Sequence, residues 1–212
     1  MARTLGVAAS GSKEVSQSAV DILEAGGNAF DAALGALCAA SVAEPLLASL
    51  GGGGFLLALP TAGKPVVYDF FCQTPGRHRP LEELDFYPIL ADFGTATQEF
   101  HIGMGSIAVP GVIAGLFEAH RDLGRMPIRD IMTPAIELAR SGVEIDAFHS
   151  YIMTVLDPIL GASTESLALF ESAQQPGRLL HDCELLRNQG GGGALDAQIQ
   201  VGPGWFFRGV GG

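Results

Sequence analysis

A chain of 212 residues that is 48% hydrophobic and 17% charged has the composition of a globular protein with a real core, not of a disordered segment. Its formal net charge of -11, with only 12 Lys and Arg, excludes nucleic acid as a partner, because neutralising a phosphate backbone takes clustered cations. The most apolar stretch, residues 32–59, is broken by Glu44, Pro45 and Gly51 to Gly54, so no uninterrupted run of about 18 apolar residues is available to span a membrane.

The opening MARTLGVAASGSKEVSQSAVDIL lacks the basic start, apolar core and small-residue cleavage site of a signal peptide, which predicts a cytoplasmic protein. Cys38, Cys72 and Cys183 are too few and too far apart for a disulfide framework, and no CxxC or Cys/His spacing suggests zinc, so a reducing compartment fits. Ala19, Val20, Ile22 and Leu23 fall at helical spacings and predict a helix over 16–25 that Gly26-Gly27 ends. A second helix is predicted over 29–43, with Asn28 as N-cap and Asp31 facing the open amides of the first turn. Its small residues suit packing on several sides, and Pro45 stops it.

Two short apolar runs, 55–59 and 66–70, flank the turn-like sequence PTAGKP and predict a β-hairpin. Helical periodicity returns over 110–123 and 128–140, each with a proline near its first turn and a glycine after its end, and again over 146–159. Beyond Gly161 the periodicity fades, and the GGGG, GPG and GVGG runs of 188–212 read as flexible connection.

The residues by themselves show no active site. Gly51 to Gly54 has the composition of an anion cradle, but the order is helix, glycines, strand, and neither a P-loop lysine nor a dinucleotide-binding order is present, so close backbone packing is the plainer reading. His78, His101, His120, His149 and His181 are scattered and form no Ser-His-Asp pattern. Glu82, Glu83 and Asp85 read as a solvated acidic face.

A family resemblance begins in ILEAGGNAFDAALGALCAASVAEPLLASLGGGGFLLAL, residues 22–59. Gly26, Gly27, Asn28, Asp31, Glu44, Pro45 and Gly51 to Phe55 resemble the large-subunit start of γ-glutamyltranspeptidases, whose pattern is an LxxGGNAxDAA helix pair, a ValGluPro-like stop and a GGGGF strand entry. Two more blocks match in order, AVPGVIAGLFEAHRDLGRMP at 108–127 and IMTPAIELARSGVEI at 131–145, so the resemblance covers about residues 5–160.

That resemblance implies an α+β fold of the Ntn-hydrolase αββα type, of which this chain supplies the helical layer and some strands. It divides the chain into a large-subunit region, 1–160, and a glycine-rich tail or subunit end, 161–212. It also implies a precursor that cuts itself into large and small subunits, with the threonine nucleophile, its α-amine base and the oxyanion donors on the small subunit. No metal or organic cofactor is then needed, no catalytic residue lies in this chain, and the partners are the small subunit and a small-molecule amide. The Thr-Thr-His motif of the cleavage point is absent, so this chain alone is expected to be inactive, and Gly212 is either the large-subunit end or the end of a truncated chain.

One departure bears on substrate. Typical members of the family carry Asp-Phe-Arg-Glu after the GGGGF strand, with the arginine on the α-carboxylate of the glutamyl group. Here the segment reads Tyr68-Asp69-Phe70-Phe71-Cys72-Gln73-Thr74-Pro75, and Phe71 stands in the arginine's place. Phe71, Gln73 and Arg77 are therefore the candidate substrate-binding residues, with Arg79 a second stand-in cation. The expected reaction is hydrolysis or transfer of γ-glutamyl groups from glutathione-like amides. An acylase for another amide, as in cephalosporin-acylase-like relatives, an inactive structural homologue and an anion-binding module are the alternatives.

Overall fold

The computed structural model describes residues 6–208. In chain order these form α1 (Lys13–Glu24), α2 (Ala29–Ala43), β1 (Phe55–Ala58), β2 (Val66–Asp69), β3 (Tyr87–Asp92), β4 (Thr97–Ile102), α3 (Val112–Leu123) and α4 (Ile128–Ser141). There follow β5 (Val143–Glu144), α5 (Ala147–Leu160), α6 (Thr164–Phe170), β6 (Leu185–Leu186), α7 (Gln189–Val201) and α8 (Gly204–Arg208). The strands pair only as antiparallel two-stranded sheets, β1-β2, β3-β4 and β5-β6, so this is an α+β chain rich in helix. Among the described residues no helix is long and apolar enough to cross a membrane. The expected subunit end at Gly212 lies outside the described residues.

Contacts divide the chain into two units. The first takes the residues up to Cys72, Pro110–Ser141 and the residues from Arg187 onward; the second takes Gln73–Val109 and Gly142–Leu186.

In the first unit, the Ser12 hydroxyl accepts the Val15 N–H at 3.3 Å, so α1 starts at Lys13, ahead of the apolar spacing that marks it in the sequence. Val15, Ser18, Ala19 and Ile22 form its buried face, and Gly26 at φ +97° turns the chain. The start of α2 is a complete capping box. Asn28 Oδ1 accepts from the Phe30 and Asp31 N–H groups at 2.7 and 2.9 Å, while Asp31 Oδ2 accepts from the Asn28 N–H at 2.9 Å.

Both cap residues also reach across the unit. Asp31 is fully buried, and its Oδ1 accepts the Arg125 N–H at 2.9 Å; Asn28 Nδ2 donates to the Leu123 carbonyl at 2.8 Å. Two side chains thus fasten the first turn of α2 to the end of α3 and the turn after it. A β-carbon at Gly27 would meet Met126 Sδ at 2.6 Å and Ile22 Cγ2 at 2.7 Å, and one at Gly35 would run into the Ile22 side chain. Those two glycines let α1, α2 and the 124–127 turn approach closely.

The run Gly190 to Gly193, read from composition as flexible connection, is helical. Tertiary contacts override propensity here: Asn188 Oδ1 accepts the Gly191 N–H at 2.7 Å, Gly192 lies against Ala139 of α4, and Leu195 is fully buried.

The second unit holds the β3-β4 hairpin, which runs in register from Tyr87↔Ile102 to Asp92↔Thr97. Sequence patterning misses it because Pro88 interrupts the run and only Ala91 of β3 is buried, so no apolar alternation forms. Asp146 caps α5: its Oδ1 accepts the His149 N–H at 2.8 Å and lies 2.7 Å from His149 Nδ1, which places the ring proton on Nδ1. His149 is buried, and its Nε2 has no hydrogen-bond partner among the described residues. The 171–184 loop is organised by Ser172 and Glu184. The Ser172 hydroxyl donates to Glu184 Oε1 at 2.6 Å and accepts from the Gln174 and Gln175 N–H groups, while the His181 N–H donates to Glu184 Oε2 at 2.7 Å. Ser172 first, then the His181 amide, hold the Glu184 carboxyl below its ordinary range.

Two predictions follow from these caps. Asp31→Ala leaves no acceptor for the part-buried Asn28 and Arg125 N–H groups and is expected to cost about 2–4 kcal/mol in urea unfolding, with Asp31→Asn in between. Asp146, its pKa lowered first by the His149 backbone N–H, contributes stability that is complete above its unfolded-state value and is lost as pH falls through the lower folded-state value. Asp146→Ala should cost about 1 kcal/mol at neutral pH and should flatten the stability-against-pH curve within that window.

Candidate functional site

The site is built on β1, β2 and the glycine run that precedes them. In register, Phe55 faces Asp69, Leu57 faces Val67 and Ala58 faces Val66, and the ladder gains one more pair between Gly54 and Phe70, with N···O distances of 3.2 and 3.1 Å. Side chains alternate across this ladder. Leu56, Ala58, Tyr68 and Phe70 take the covered side, while Phe55, Leu57, Leu59, Val67 and Phe71 stand outward and are 55–70% exposed.

Phe70 sets the position of its neighbour. A β-carbon at Gly111 or Gly115 would collide with Phe70, so the ring and carbonyl lie directly on the first turn of α3. Tyr68, on the same side, donates its phenol proton to Asp122 Oδ2 at 3.2 Å; partial burial first, then Asp122, raise its pKa. The Asp69 carboxylate accepts the Phe71 N–H at 3.0 Å and turns Phe71 outward, where its ring stacks on Phe55 at 5.6 Å between centroids and 17° between planes. Phe55, Phe70 and Gly54 also border a cavity of about 360 Å3 whose other wall is Ala33, Leu37 and Ala40 of α2.

The glycine run makes no anion cradle. The Gly51 N–H donates to Ser49 Oγ at 3.0 Å, Gly52 to the Ser49 carbonyl at 3.1 Å and Gly54 to Phe70, so these amides are engaged inside the fold. A β-carbon at Gly53 would strike the backbone of Cys72 and Phe71. The Gly52 carbonyl accepts from the Gly111 and Val112 N–H groups at 2.9 and 3.2 Å, filling the place of a side-chain cap at the start of α3. The run is there for close backbone packing.

Of the residues singled out from sequence, Phe71 sits on this exposed aromatic pair. Gln73 and Arg77 belong to the second unit. There the Gln73 backbone forms a two-bond bridge with Val109, at 3.0 and 2.8 Å, and Arg77 is exposed in an irregular segment. Arg79 is engaged by Glu83 at 3.8 Å. Sequence reasoning did not single out Phe55 and Asp69, although the outward alternation Phe55, Leu57, Leu59 was readable as a second apolar face.

Neither Cys38 nor Cys183 is an activated thiol. Burial pushes the Cys38 thiol up to about 12, and Asp182 beside Cys183 raises that exposed thiol too, the opposite of what a nucleophilic cysteine needs.

The sequence model of the family described as gamma-glutamyltranspeptidase matches residues 15–211. The chain is 31% identical over 213 residues to the glutathione hydrolase proenzyme of Escherichia coli, covering 97% of this chain and 34% of that protein. It is 35% identical over 144 residues to the acylase ACY 1 proenzyme of a Pseudomonas species, covering 66% of this chain and 25% of that protein. The crystal structure of Helicobacter pylori gamma-glutamyltranspeptidase superposes with a TM-score of 0.83 at 22% identity, over 99% of this chain and 58% of that one, a likeness that speaks to the fold. The chain thus spans about a quarter to a third of the length of these curated relatives. With nearly its whole length matched, it belongs to the gamma-glutamyltranspeptidase family and carries part of that family's Ntn-hydrolase α+β fold.

Proposed function

We propose that this chain is the nucleophile-free, large-subunit part of an N-terminal-threonine amidohydrolase or acyltransferase, active only with a small subunit from the same precursor. The observation that carries the reading is the β1-β2 hairpin, apolar on both faces. Strands that read as apolar on both sides belong in a sheet covered on both sides, and here only the Tyr68 and Phe70 side is covered, by α3. The outward face therefore needs a cover, and the larger share of the proenzyme relatives' length lies outside the match.

In this assembly the threonine α-amine takes the hydroxyl proton, the oxygen adds to the amide carbonyl, and the amine leaving group departs with a proton. Water or an acceptor amine then releases the acyl group from the ester. This chain adds no atom to those steps; it supports the sheet and one wall of the acyl pocket, with Phe71 as the residue against the acyl group. γ-Glutamyl amides are the first substrate class, because the E. coli relative is a glutathione hydrolase. The three thiols, free in the structure, suit a reducing compartment, and the cytoplasm is the proposed location.

A second reading, an acylase for a non-glutamyl amide, is favoured by the Phe55-Phe71 pair, which offers an apolar surface in place of a cation. The relative named as an acylase proenzyme lends the same support.

Intact mass and N-terminal sequencing of the product of the full reading frame are expected to find a second chain beginning with threonine, and the same sample is expected to release nitroaniline from γ-glutamyl-p-nitroanilide. A small subunit with another first residue removes the mechanism. Phe71→Arg separates the two substrate readings: it should raise kcat/KM on the γ-glutamyl substrate by about tenfold to a hundredfold if a charge-assisted contact to the α-carboxylate forms. An unchanged value, with faster turnover of uncharged acyl anilides by the unsubstituted enzyme, favours the acylase.

A further inference from the structure

The helix α7 carries two independent marks of weak attachment. Four of its first five residues are glycine, and each glycine in a helix interior gives up backbone entropy that alanine does not. Only Gly192 among them is held by a close neighbour across the unit, with its β-carbon position 3.0 Å from Ala139 of α4; Gly190 and Gly193 face open space. The second mark is Gln198. It is 1% exposed, and neither its Oε1 nor its Nε2 has a hydrogen-bond partner among the described residues, so docking buries an amide without satisfying it.

What holds α7 in place is small by comparison. Leu195 is its one large, fully buried apolar side chain, and the Arg140–Asp196 ion pair, at 2.5 Å, joins two side chains that are 64% and 38% exposed. The neighbouring helices differ: α2 has the capping box and Asp31, and α4 buries Ile131, Met132, Ala135, Ile136 and Ala139.

We propose that α7 is a detachable helix, which undocks from α4 as a local unit while α1, α2 and α4 stay folded. Undocking releases Gln198 to solvent and bares Leu195 together with the Ile136 and Ala139 face of α4. The sequence sets the ease of this opening through the glycines, where alanine would fit sterically at positions 190 and 193.

Native-state hydrogen exchange on the full chain, read by mass spectrometry, tests this. Peptides from 189–201 are expected to exchange at least about 100-fold faster than those from α2, a separation of the kind found between sub-global and global opening. The pair Gly190→Ala and Gly193→Ala should slow exchange in α7 by about fivefold for each residue and leave α2 unchanged. Gln198→Met, which removes the unsatisfied amide at similar volume, should slow α7 as well. Gly192→Ala should do the reverse, because its methyl group crowds Ala139. Exchange of α7 in step with α2 and α4 overturns the proposal, and so does an α7 rate that the alanine pair leaves unchanged.

Discussion

The first unit depends on a single carboxylate. Asp31 lies in the first turn of α2 with no solvent exposure and holds two backbone N–H groups, one in its own helix and one at Arg125, far along the chain. Its partner Asn28 caps the same helix and donates to Leu123, so a local capping box doubles as a long-range clasp. A buried carboxylate is costly unless its lone pairs are used, and here the helix start supplies one donor and a favourable dipole while the Arg125 N–H supplies the other. The glycines at 27 and 35 follow from the clasp, because helices drawn together this closely leave no room for a side chain at either position.

From that clasp the placement of the hairpin follows. Asn28 and Asp31 fix the end of α3; the beginning of α3 receives the Gly52 carbonyl, and Gly111 makes room for the Phe70 backbone and Gly115 for its side chain. With Phe70 turned inward, the strand alternation sends Phe71 outward, and Asp69 holds it there. An open face of Phe55, Leu57, Leu59, Val67 and Phe71 results, too apolar to be a water-facing surface by design and continuous enough to be half of an interface.

Much of this was legible in the sequence where local rules and tertiary needs agree. Asn28 and Asp31 announce α2 through capping chemistry, and the two apolar runs around PTAGKP announce the β1-β2 hairpin. The start of α1 was misplaced because Ser12, a polar cap outside the apolar periodicity, decides it. The β3-β4 hairpin was illegible, since a proline and a mostly exposed strand erase the alternation that marks a hairpin. α7 was illegible for another reason: its glycines argue against helix, and only contacts with α4 that no local pattern encodes make it one. At the site, the sequence identified Phe71 by comparison with the family's motif, but the ring that stacks on it, Phe55, emerges only when strand register is known. The glycine run that suggested an anion site is resolved by counting where its amides go.

The most direct measurement is hydroxyl-radical footprinting of the outward hairpin face in the full-length product and in this chain expressed alone. Labelling of Phe55, Leu57 and Phe71 should fall at least severalfold in the full-length protein, while Val7 and other exposed positions away from the hairpin serve as references. Equal labelling of those three residues in both samples would contradict a covering subunit and, with it, the assembly on which the proposed function rests.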